Sequence, residues 1–181
     1  AKIIEAKLDR LAEQGRAKLP RELHFATYTL KYNGLHWLTV TALGEHWEQA
    51  TVFAELRPED NAVFLKLQNV RGIRLDIPAG LSPFAPNVPV KVIVADNQLR
   101  SAEHSGAVVG PRPGSDGSWE CDVHFDGKAW VLGAPGDSLR KQHNLQGPID
   151  DAFMDAFVIV RPTGKPRNEA VGRWADAELE H

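Results

Sequence analysis

A single cysteine, Cys121, is all the chain has, so no internal disulfide can staple the fold. Charge of one sign is also lacking. Twenty-one lysines and arginines stand against 24 acids, a formal net charge of -3. That near-balance removes the electrostatic footprint of a nucleic-acid binder, and no nucleic-acid partner is expected. No apolar run approaches the roughly 18 residues that span a bilayer, so membrane insertion is not expected either. None of the six serines (82, 101, 105, 115, 118 and 138) lies in G-x-S-x-G. A Walker A loop, a Gly-rich dinucleotide turn and H-E-x-x-H are likewise missing. With no complete catalytic motif, the chain itself reads as non-enzymatic, without cofactor or metal.

What is there is a chain of 181 residues, 43% of them hydrophobic, long enough for one domain with short extensions and a core of its own. Ile4, Leu8 and Leu11 recur at helical spacing over residues 1–17, before Gly15 and Pro20 end the pattern. From Glu22 the period becomes two. RELHFATYTLKY and LHWLTVTAL flank Asn33-Gly34, which predicts a hairpin turn there. WEQATVFAEL, AVFLKLQN, GIRLDIP and VPVKVIVAD follow as further strands. Ile73, Leu75 and Ile77 face one way, as do Val88, Val90, Val92 and Val94. Residues 97–118, dense in Gly and Pro after Val109, read as a mobile loop. A second hairpin follows around Asp126-Gly127, with Trp119, Cys121, Val123 and Phe125 inward. GPIDDAFMDAF reads as a short helical turn before the strand FVIVRP, and Asn168 caps a final helix over 168–181. The predicted class is mainly β: an antiparallel sandwich, fibronectin- or Ig-like, with a short helix at each end.

Three groups of side chains are candidates for chemistry. Cys121 and His124 form C-x-x-H, but in a strand they point to opposite faces and no other cysteine can complete a zinc site. His36-Trp37 and His46-Trp47 make a repeated pair. Tryptophans 37, 47, 119 and 130 are expected to cover the core, with the histidines on the wetter face. The alternative is a carbohydrate-binding face, which requires at least two of those rings exposed and coplanar. Asp150, Asp151 and Asp155 form an acidic turn, with Asp150 as cap and Asp151 and Asp155 at i and i+4. Their repulsion calls for a cation or an arginine nearby, Arg140 or Arg161. A calcium ion is one option, capping with a salt bridge the preferred one, and a metal-dependent enzyme at this turn a further alternative.

The segments TYTLKYN (27–33), EHWE (45–48) and GPIDDAF (147–153) carry a resemblance. Together with the L-D-I-P strand and VIVRPTG, they are similar to one region of large bacterial prolyl-oligopeptidase-family serine hydrolases, planctomycete-type sequences among them. The match spans nearly the whole chain and departs at the loop near Pro111. It implies that residues 1–17 continue from a preceding α/β-hydrolase domain, whose triad lies outside this chain. It also implies that 21–163 form an accessory β-sandwich and that 168–181 lead into a C-terminal region. The partner would be that catalytic domain, and the parent an exported, periplasmic or extracellular protein.

Overall fold

Alternation of apolar and polar residues lays down most of the elements. The computed structural model describes residues 4, 5, 8, 12, 15, 17–96, 106–136, 139–147, 156, 158 and 164–179, and among these ten strands and one complete α-helix are assigned. The strands are β1 (Glu22–Thr27), β2 (Gly34–Leu35), β3 (Leu38–Leu43), β4 (Ala50–Arg57), β5 (Ala62–Gln68), β6 (Val70–Ile77), β7 (Lys91–Asp96), β8 (Gly106–Val109), β9 (Trp119–Phe125) and β10 (Trp130–Leu132); α1 is Glu169–Glu178. The chain divides into two compact units, residues 1–146 and 147–181.

All ten strands belong to the first unit, in two five-stranded sheets. One has the order β1-β4-β5-β7-β8 and the other β10-β9-β6-β3-β2. Every neighbouring pair is antiparallel except β5 and β7. Those two run parallel because β6, between them in sequence, lies in the other sheet. Asn69 makes that transfer alone, with its backbone in the left-handed region (φ 55°), a conformation asparagine tolerates better than most residues.

Side chains at every second position enter one apolar cluster drawn from both sheets. Val52, Ala54 and Leu56 of β4 and Val63, Leu65 and Leu67 of β5 meet Ile73, Leu75 and Ile77 of β6 and Trp119, Cys121 and Val123 of β9 in it. Full burial of each large aliphatic contributes about 1.5–3 kcal/mol. The ladder between β3 and β6 slips near Ala42. There Gly72 approaches so closely that a Cβ would lie 2.6 Å from Thr41 Oγ1 and 3.0 Å from Pro135 Cγ.

The structure corrects several expectations. Asn33-Gly34 is not the turn of a hairpin between 22–32 and 35–43; β1 pairs with β4 instead. The hairpin is β2–β3, closed by His36-Trp37, with His36 at φ 51°. Trp37, one of the two turn residues, is drawn into the core. Residues 97–118 are not loop throughout, because β8 forms there and extends β7, with Val92 opposite Val108. Trp47 precedes β4 rather than opening it, and Val88 lies outside β7 and is exposed. Ile4, Glu5, Leu8 and Ala12 carry helical backbone, and the residues between them lie outside those described. So do 150–155 and nearly all of the expected strand FVIVRP. Asn168 caps α1 as expected, its side chain accepting from the amides of Ala170 (2.9 Å) and Val171 (3.3 Å).

Candidate functional site

Buried polar side chains are costly unless paired, and among the described residues buried Thr27, Thr29, Asn69 and Gln146 lie at one group of linked loops. Asn69 is 2% exposed and its amide is fully used. Oδ1 accepts from the Glu45 amide at 2.7 Å, and Nδ2 donates to the carbonyls of Glu45 (2.8 Å) and Glu48 (3.0 Å). Its own carbonyl accepts from Gly44 N at 3.1 Å. One side chain therefore clamps both ends of the Glu45–Glu48 loop. In this loop sits Trp47, in the left-handed region at φ 68° and 54% exposed. A bulky residue there is a genuine backbone outlier.

The Trp47 amide donates to the Tyr28 carbonyl at 2.9 Å, which ties this loop to the one following β1. That second loop is fixed from below. Thr27 Oγ1 donates to the Thr29 carbonyl at 2.7 Å, and the buried Thr29 hydroxyl donates to the side-chain carbonyl of buried Gln146. The Thr29 hydroxyl also accepts from Lys31 N (3.2 Å), capping a 3-10 turn at Leu30–Tyr32. His143 Nδ1 meets the Leu30 carbonyl at 2.8 Å. A third loop, tightened by reciprocal backbone bonds between Gln142 and Leu145 (2.9 and 3.0 Å), is thus joined to the same place. Tyr28, Tyr32, Trp47 and Leu145 are all exposed on these three loops. Rigid support beneath exposed aromatic rings is what a protein-binding surface needs, because little side-chain and loop entropy is left to lose.

The four tryptophans of the β region divide three to one. Trp37, Trp119 and Trp130 are buried and Trp47 is exposed. The indole of Trp37 donates to the Pro20 carbonyl at 2.8 Å and that of Trp119 to Pro111 at 3.0 Å. Those four do not supply the pair of exposed rings that a sugar-stacking face requires. His36 is exposed at its turn and His46 half-buried in the Trp47 loop, so the two His-Trp pairs are not equivalent. His24 stands on the outer face of the β1 sheet. It contacts Phe53 (centroids 4.9 Å), which meets Phe64 edge-on at 6.3 Å, while the Arg57 guanidinium lies 4.4 Å above the Phe64 ring.

Cys121 points inward and His124 outward, the latter with Nδ1 2.7 Å from the Gly133 carbonyl. Burial, and then the Asp122 charge, push the Cys121 thiol up to about 12, far from the range of a reactive thiolate. Among the described residues no three His, Cys, Asp or Glu side chains gather as metal ligands do. Asp150, Asp151 and Asp155 lie outside the described residues. Arg140, one of the partners anticipated for them, donates Nη1 to the Thr41 carbonyl at 3.2 Å. No described helix is long and apolar enough to cross a membrane.

Sequence reasoning missed Asn69, Thr29, His143 and Gln146. One signal was present for Asn69: a lone Asn between two apolar alternating runs marks a left-handed break. Two segments singled out in the sequence, 27–33 and 45–48, meet here through the Trp47–Tyr28 bond. Comparison of the chain with family models, curated proteins and solved structures finds no match.

Proposed function

We propose that residues 21–163 are a non-catalytic accessory domain, an Ig-like β-sandwich of a multidomain bacterial serine hydrolase of the prolyl-oligopeptidase family. It packs on the α/β-hydrolase domain of the same chain and modulates that domain's substrate range or stability. The observation that carries the reading is Trp47: an exposed indole held in a strained backbone by a buried asparagine, beside exposed Tyr28. Strain of this kind costs about 1–3 kcal/mol and persists where surrounding structure enforces it. Trp and Tyr are also the residues that most often anchor protein interfaces. Two of the three segments that carry the family resemblance, 27–33 and 45–48, contribute to this surface.

The test compares hydrolysis of a small ester and a peptide panel by this chain and by a longer chain that includes the hydrolase domain. The expected result is turnover by the longer chain alone, with its peptide range or thermal midpoint altered by Trp47→Ser. Turnover by the 181-residue chain itself, lost on changing Asp151 or Asp155, would overturn the reading and move the chemistry to the acidic turn.

A further inference from the structure

Of the seven asparagines in the chain, only Asn33 is followed by glycine. A glycine on the C-terminal side leaves its amide nitrogen unhindered, since no Cβ blocks its approach to the preceding side chain. We propose that Asn33 is a site of spontaneous deamidation, gated by opening of the β2 end of the β2–β3 hairpin.

The closed hairpin ties down the side chain that must react. Asn33 Nδ2 donates to the Val40 carbonyl at 2.8 Å, and the Val40 amide donates to the Asn33 carbonyl at 2.8 Å. Side chain and main chain are thereby fixed by the same partner, and Asn33 rests at φ -108°, ψ 3°. Yet β2 is two residues long and forms the rim of its sheet, so its opening is among the cheaper local fluctuations of the fold. Once Asn33 leaves Val40, the Gly34 nitrogen attacks Asn33 Cγ. The new C–N bond closes a five-membered imide, the bond to Nδ2 breaks, and ammonia departs. Water then opens the imide at either carbonyl, leaving aspartate or isoaspartate.

Both products damage the hairpin. An aspartate carboxylate has no proton to give the Val40 carbonyl, so two acceptors face each other. Isoaspartate lengthens the main chain by a methylene and disturbs the register that seats Trp37 at the turn. The modification is therefore a one-way timer acting on the edge of the second sheet.

The full chain is incubated in mildly alkaline buffer with and without urea, and its peptides are read by mass spectrometry. Conversion is expected at Asn33 in both samples, at least about tenfold slower without urea, which corresponds to about 1.4 kcal/mol of opening. Gly34→Ala should slow conversion in both samples. Its added Cβ meets only Thr39 Oγ1 at 3.6 Å and the Leu38 carbonyl at 3.7 Å, ordinary contacts that leave the fold intact. Faster conversion at another asparagine in urea, or none at Asn33, overturns the chemistry. Equal rates in the two samples overturn the gate.

Discussion

At the scale of single residues, Asn69 and Trp47 make opposite demands on stability. Asn69→Ala strands the Glu45 amide and two carbonyls and places alanine at φ 55°. A loss of about 2 kcal/mol in urea unfolding is expected, since three part-buried hydrogen bonds are lost, each worth about 0.5–1.5 kcal/mol net. Trp47→Gly should leave stability in urea unchanged or raise it by up to about 1 kcal/mol, because glycine relieves the positive-φ strain while adding entropy to the unfolded chain. A large loss would mean that the indole holds the loop rather than decorating it. Cys121 supplies a pH test. Its thiol rises from 9.0 in the open chain to about 12 in the fold. The stability it contributes is present below pH 9 and is lost as pH rises toward 12. A thiol reagent near neutral pH should modify Cys121 only after unfolding.

At the scale of elements, the β9–β10 hairpin depends on an exposed carboxylate. Asp126 Oδ1 accepts from the amides of Lys128 (2.8 Å) and Ala129 (2.9 Å). The Ala129 and Lys128 amides, in that order, hold its carboxyl below the ordinary value of 3.8. A depressed acid stabilises above its unfolded-state value and loses that stabilisation as pH falls through its folded one. The Asp126→Ala variant should therefore unfold at a lower temperature than the parent near neutrality, and the gap should close under strongly acid conditions. This hairpin was legible because Asp126-Gly127 sits where apolar alternation stops on both sides. Asn33-Gly34 carried an equally good local signal and was overridden, since burying Trp37 three residues after Gly34 outweighs turn preference. β8 went unseen because Gly106-Ala107-Val108-Val109 has little pattern of its own and becomes a strand by pairing with β7. The candidate surface was half visible: Trp47 stood out, while Asn69, Thr29 and Gln146 act through contacts between loops far apart in the chain.

At the scale of the whole molecule, one apolar cluster serves both sheets, so damage in one strand should be felt by all. Leu65, with no exposed surface in the middle of β5, is the probe. Leu65→Ala is expected to cost about 2–5 kcal/mol through lost transfer energy and a cavity, read as a single cooperative shift in urea unfolding by both tryptophan emission and far-ultraviolet dichroism. Separate transitions by the two probes would show that the sheets unfold independently. The parallel pairing of β5 with β7 has a consequence for birth on the ribosome. Strand β6 crosses to the other sheet and must wait for β9, which starts at Trp119, before its second neighbour exists. During vectorial synthesis Ile73, Leu75 and Ile77 thus spend the translation of more than 40 residues beside a half-built sheet. Topology of this kind slows folding and leaves apolar strands open to the wrong partners. A nascent chain halted after β8 should therefore recruit holdase chaperones, and release them once β9 has cleared the exit tunnel.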